Sequence, residues 1–260
     1  MHNTRDILKA LTSGKLTIEE AEKKLQVLTL SHVEDFAVLD HGRQDRTGIP
    51  EVVMANTKQS DEIIKITRNM LDTNGFALLT RADQKKVDAL ESAINDYVIN
   101  VSGSRDHLTV FVHAQNWKPP ETSGKIAVIT AGTSDIPYAR EVEAIAKVVG
   151  VESLSFFDVG VAGIHRLIDP LKQILEKDVD VIVVLAGMEG ALPTVIASLV
   201  DIPVIGVPIP TGYGYGGEGI TALSSMLQSC APGLAVVNIG NGLGAGAIAA
   251  LIARRRVKPE

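Results

Sequence analysis

Cysteine is almost absent: Cys230 is the single one in 260 residues. That excludes an internal disulfide and a zinc site built on several cysteines. Long hydrophobic runs are missing too. The longest candidates are broken by Asp, Glu or Gly, so no membrane span is expected. The start, Met1-His2-Asn3-Thr4-Arg5-Asp6, has no apolar signal core, and the expected address is cytoplasmic. Positive charge is not in excess. A net charge of −6 argues against a general nucleic-acid surface. No set of His, Asp and Glu has the spacing of a metal cage, so no site for a tightly bound metal is expected. What is present is ordinary soluble material: 45% apolar and 22% charged residues, enough for one large or two modest domains.

The chain alternates helical and strand patterns. Residues 1–30 read as a helical hairpin. Thr17-Ile18-Glu19-Glu20 has the form of a capping box, and Ile18, Ala21, Leu25 and Leu28 follow the helical period. Residues 31–118 read as a small α/β domain. Its strands are expected at 36–40, 76–79 and 108–112. Helices are expected from Ser60 to Asn74-Gly75 and from Asp83 to Ile94. The polar stretch His41 to Gly48, with Arg43 and Arg46, reads either as an anion-binding loop or as a solvated loop with local Asp–Arg pairing. Lys118-Pro119-Pro120 marks a linker.

Residues 119–260 are more regular. Short apolar runs at 126–130, 153–157, 179–185, 203–207 and 234–238 alternate with helical segments at 135–149, 164–175, 191–199 and 242–255, and with one that follows the glycine loop and ends near Cys230. Nearly continuous apolar strands between helices specify a parallel sheet covered on both faces, which binds ligands at the carboxyl ends of its strands. Those ends carry Gly132-Thr133-Ser134-Asp135, Gly187-Met188-Glu189-Gly190, Gly212 to Gly219, and Gly240-Asn241-Gly242. Backbone N–H groups in such loops suit phosphate. The Gly240–Gly246 run lacks the context of a dinucleotide fingerprint and reads more simply as a phosphate cradle. Glu189 could act as a base or merely cap the next helix. His165, at a helix start, is more often structural than catalytic in type.

The run Thr211 to Gly219 holds five glycines in nine residues with two tyrosines between them, and leads through a helical segment to Cys230. A thiol facing that loop would be a candidate nucleophile. A buried small hydrophobe is the other reading of a free cysteine, and both stay open on spacing alone.

Several motifs together resemble a known family. Gly132-Thr133-Ser134-Asp135, Ala186-Gly187-Met188-Glu189-Gly190-Ala191-Leu192-Pro193 and Ile202 to Pro208 resemble the PurE-type carboxylase fold. The Ala-His-Leu-Pro histidine of the aminoimidazole ribonucleotide enzymes is missing, since Ala191 runs directly into Leu192. Thr211-Gly212-Tyr213-Gly214, Gly217-Glu218-Gly219, Ser229 to Gly233 and Asn238 to Gly242 resemble LarB. So do Asp40, Arg43, Arg46 to Val52 and Lys58 in the front half. The resemblance implies an α/β fold: a C-terminal PurE-like, flavodoxin-like three-layer domain after a smaller α/β domain and the hairpin. It also implies a homo-octamer.

For activity, it implies carboxylation of the pyridinium ring of nicotinic acid adenine dinucleotide at C5 and hydrolysis of its phosphoanhydride. Cys230 falls on the family's nucleophile and Glu189 on its acidic catalytic residue. The anion sites then have an object, with Thr133, Ser134, Asp135, His165, Gly187, Gly190, Gly217, Gly240, Asn241, Arg43, Arg46 and Lys58 as candidate substrate-binding residues. Mg²⁺ held by the substrate phosphates could assist hydrolysis. No motif for biotin or ATP is visible. The competing expectations are a PurE-like mutase and a non-enzymatic nucleotide-binding module.

Overall fold

The computed structural model describes residues 4–26, 30–104 and 106–256. Leu28 and residues 1–3 lie outside them. The chain divides into two compact units. The first comprises 1–100 and 110–117, the second 101–109 and 118–260.

The first unit opens with α1 (Thr4–Thr12) and α2 (Ile18–Gln26). The capping box forms as expected: Thr17 N–H donates to Glu20 Oε2 at 2.9 Å, and Glu20 N–H to Thr17 Oγ1 at 3.2 Å. Ala21 is buried, but Ile18 is exposed and lies outside the expected apolar stripe. A two-stranded antiparallel ribbon follows, β1 (Leu30–Val33) and β2 (Ala37–Asp40). The stretch expected as a polar loop contains a short helix, α3 (Arg43–Thr47), closed by Gly48 in the left-handed conformation.

Next come β3 (Val53–Met54), α4 (Ser60–Asn74), β4 (Phe76–Ala82), α5 (Gln84–Ala93), β5 (Val98–Ser104) and β6 (His107–His113). The sheet order is β3-β4-β6-β5, and the parts of β5 and β6 within 101–109 group with the second unit. Gly75 ends α4 at a φ of 74°, and Asp83 caps α5 by accepting from Lys86 N–H at 2.9 Å. Ile63, Ile66 and Met70 of α4 are buried, as are Leu78 and Leu79 of β4. Each such side chain contributes about 1.5–3 kcal/mol. Phe76, Phe111 and Trp117 form an aromatic cluster beside them.

The second unit is the expected α/β layer structure. It holds β7 (Lys125–Thr130), α6 (Ile136–Val148), β8 (Glu152–Phe156), α7 (Ile168–Glu176), β9 (Val181–Ala186), α8 (Ala191–Ala197), β10 (Val204–Pro208), α9 (Ile220–Leu227), β11 (Leu234–Val236) and α10 (Gly242–Ala253). The sheet order is β11-β10-β9-β7-β8, with every neighbouring pair parallel. Residues Val181–Ala186 and Val204–Pro208 are buried throughout, which explains their unbroken apolar character.

The chain passes from β7 outward to β8, then returns to the other side of β7 for β9. The strand order therefore reverses between β7 and β9. Their carboxyl ends diverge there and leave a crevice. Helix α10 packs on α6 through small residues. A Cβ at Gly246 would lie 2.9 Å from the Val142 Cα, and one at Gly242 only 2.4 Å from the Tyr138 carbonyl oxygen. The glycines at 242 and 246 therefore serve close helix packing.

Candidate active site

A cleft of about 400 Å³ occupies that crevice. Every one of its walls follows a strand. Ala131, Gly132, Ser134 and Asp135 come after β7, Gly160 to Ala162 and Arg166 after β8, Ala186 to Glu189 from the end of β9, and Thr211 to Tyr213 after β10. Gly187 permits the approach of two of these loops. A Cβ there would stand 2.4 Å from the Thr211 carbonyl oxygen.

Asp135 forms part of the cleft wall at 2% exposure. Burial pushes its carboxyl above the usual carboxylate range, opposed by hydrogen bonds from the Gly132 N–H and from the Ser134 and Thr211 hydroxyls. The Gly132 bond is 2.8 Å, and each hydroxyl lies 3.4 Å from Oδ1. Glu189 is different. It is exposed at the mouth, in the turn between β9 and α8. Gly190 occupies the cap position of α8, and no side chain caps that helix. Among the described residues the Glu189 carboxylate has no hydrogen-bond or ion-pair partner, so the capping role is set aside. One buried carboxyl, its pKa raised by burial, and one exposed carboxyl share the cleft.

Other expected binding residues fall elsewhere. His165 is exposed and outside the lining, whereas its neighbour Arg166 lines the cleft, paired with the Asp158 carboxylate at 3.2 Å. Residues Val161–Leu167 form 3-10 turns, so adjacent side chains point about 120° apart. The helix expected to start at Ile164 starts at Ile168, and the 3-10 turns before it turn Arg166 into the cleft. Thr211, absent from the expected binding residues, also lines the cleft.

Gly190 packs against the Ala222 backbone, and Gly217 lies in the 3-10 turns Gly214–Gly219 beyond the lining. The expected phosphate cradle at Gly240 and Asn241 is filled by the protein itself. Asn241 Oδ1 accepts from Gly244 N–H at 2.8 Å, and Glu141 Oε2 from Leu243 N–H at 3.1 Å. In the first unit, Arg46 pairs with Asp40, which holds the Asp40 carboxyl below its usual range, and Lys58 Nζ donates to the Met54 carbonyl at 3.3 Å. Arg43 begins α3.

Cys230 does not face the glycine loop. It is exposed, but it lines a separate pocket with Thr194, Asp201, Pro203 and Pro232. That pocket sits where β10 and β11 begin, whereas the cleft sits where the strands end. The reason is α9, whose eight residues carry the chain about 12 Å back across the layer before Cys230 is reached. Glu189 and Cys230 of one chain are therefore on opposite edges of one sheet.

Among the described residues no group of three His, Cys, Asp or Glu gathers as a metal site, and no helix is long and apolar enough to cross a membrane.

Comparison with known proteins adds the family. Residues 31–104 match the LarB/PurE-like N-terminal domain, and residues 125–258 match the AIR carboxylase domain. The chain belongs to the LarB family. The uncharacterized protein MJ0165 of Methanocaldococcus jannaschii is 46% identical over 255 residues, with 97% of each chain covered. The N5-carboxyaminoimidazole ribonucleotide mutase of the same organism is 35% identical over 116 residues, covering 44% of this chain and 68% of that protein. That of Thermotoga maritima is 30% identical over 135 residues, covering 49% and 74%. The mutases match only part of the chain. This LarB-family chain therefore joins a LarB-type front domain to a domain of carboxylase and mutase type.

Proposed function

We propose that this chain carboxylates the pyridinium ring of nicotinic acid adenine dinucleotide at C5 and hydrolyses the phosphoanhydride. The products are AMP and pyridinium-3,5-biscarboxylic acid mononucleotide, the first step of nickel-pincer nucleotide biosynthesis. The unpartnered Glu189 carboxylate in a cleft whose lining contains no histidine carries this reading. A mutase of the aminoimidazole type would want a histidine there, and Ala191 with Leu192 lines that wall instead.

The chemistry needs an electron source, because a pyridinium carbon does not attack carbon dioxide. The Cys230 thiolate adds at C4 and gives a 1,4-dihydropyridine. The N1 lone pair then pushes through C6 onto C5, which bonds to carbon dioxide. Loss of the C5 proton and departure of the thiolate restore the aromatic ring. Glu189 accepts a proton in this cycle, and Arg166 offers its guanidinium to a substrate carboxylate or phosphate. In the second reaction one water adds across the P–O–P bridge, so carbon dioxide and water are the only atoms gained.

The covalent route requires a second copy of the chain. Cys230 lies across the sheet from the cleft within one molecule, so a neighbouring copy must present its thiol to the pyridinium. An octamer, as the family resemblance implies, has the copies to do so. Cys230→Ala and Cys230→Ser test the route. Both are expected to bind the dinucleotide and to yield no carboxylated product. Full carboxylation by either variant overturns covalent catalysis.

A further inference from the structure

A second cleft, of about 670 Å³, adjoins the first within the same unit. Its walls are Thr133, Pro137 and Tyr138 at the start of α6, and Ser104, Asp106 and His107 of the segment 101–109. The two clefts share Ser134 and Thr211, whose hydroxyl oxygens are 3.5 Å apart. A pair of hydroxyls thus forms the saddle between two chambers.

The second chamber has an organised aromatic wall. The His107 and Tyr138 rings meet edge to face with centroids 4.4 Å apart. His107 Nε2 lies 2.8 Å from Oε1 of Glu141, a carboxylate with no exposed surface. That fully buried anchor fixes the ring plane. Aromatic surface that is partly open to solvent can take a purine base by stacking. The Asp106 carboxylate can accept, and the Thr133 hydroxyl can donate or accept, hydrogen bonds of the kind ribose hydroxyls make. A mononucleotide fills a space like the first cleft, so a dinucleotide needs more room than that cleft alone offers.

We infer that the second cleft, walled by Tyr138 and His107, holds the adenylate half of the dinucleotide, with its phosphoanhydride lying over the Ser134–Thr211 saddle. This rests on the reading above that the pyridinium half occupies the first cleft beside Glu189. The saddle is then where hydrolysis takes place, and the leaving AMP departs from a chamber of its own. Ser134 and Thr211 orient the bridge by hydrogen bonds to phosphate oxygens.

The full-length protein tests this in two ways. Wild-type protein irradiated with 8-azidoadenosine 5′-monophosphate and digested is expected to carry label on Ser104, Asp106, His107 or 133–138, and excess AMP is expected to prevent the labelling. Thr133→Trp fills the second cleft from an exposed position that is absent from the first cleft's lining. It is expected to raise KM for the dinucleotide by about tenfold and to weaken AMP inhibition equally, leaving affinity for nicotinic acid mononucleotide within about twofold. Label on other segments, or AMP inhibition unchanged in Thr133→Trp, overturns the subsite while carboxylation by wild type leaves the functional reading standing. A wild-type protein that neither binds nor turns over the dinucleotide overturns both.

Discussion

Cys230 and Glu189 offer a sharp experiment because one sheet separates them. Strand β10 has five residues and spans about 16 Å from the Cys230 edge to the cleft edge. A cysteine side chain reaches only about 3 Å from its Cα, so no rotamer closes the gap. If the thiol acts in the cleft, it acts in a neighbour's cleft. Assemblies of Cys230→Ala alone have no nucleophile. Assemblies of Glu189→Gln alone lose a proton acceptor and fall by about 10²–10⁴-fold. When the two variants are co-expressed with different tags in equal amounts, about one site in four combines an intact Glu189 with an intact Cys230 from a neighbour. Tandem purification selects the mixed assemblies, and carboxylated product per site is read by mass spectrometry. The expected rate is about a quarter of the wild-type rate. A mixture no more active than the sum of its parents refutes the shared site.

Two further predictions follow from burial. Asp135 carries a raised carboxyl pKa, so the folded state binds its proton more tightly than the unfolded state. Stability therefore falls as pH rises from the unfolded pKa through the folded one. Asp135→Asn lacks this loss. Relative to its value below about pH 4, the variant's Tm is expected to gain on wild type as pH rises through that window, then to hold constant. A Tm difference that shrinks with rising pH contradicts the burial argument. Gly246→Val places a Cβ 2.9 Å from the Val142 Cα and must push α10 off α6. A loss of about 2 kcal/mol is expected, or about 4–8 °C in Tm by calorimetry. An unchanged Tm means the helices do not pack this closely.

Much of the second unit was legible because strands buried on both faces leave unbroken apolar runs, as at Val181 to Ala186. Caps were legible too: Thr17, Asp83 and Gly75 stand where their chemistry requires. Strand β5 was not, since Val98–Ser104 is half exposed and carries Asn, Ser and Gly in place of an apolar face. The cleft loops after β7, β9 and β10 were found through their glycines and polar residues, whereas Arg166 was lost to a misplaced helix start. The side of Cys230 was readable in principle. Strict strand–helix alternation returns every segment between a helix and the next strand to the amino edge, and Cys230 precedes β11. The thiol's closeness in sequence to the glycine loop points the other way. The glycines of 242–246 misled for a different reason. Close helix packing and phosphate binding both select glycine, and nothing local separates them until Tyr138 and Val142 are seen opposite. The His107–Glu141 contact joins residues 34 apart and has no local signature.

The most direct measurement is mass spectrometry of the products formed when the wild-type protein is mixed with nicotinic acid adenine dinucleotide and ¹³C-bicarbonate. AMP and a mononucleotide bearing a second, ¹³C-labelled carboxylate are the predicted products. Unchanged dinucleotide, or AMP with an uncarboxylated mononucleotide, would contradict the account.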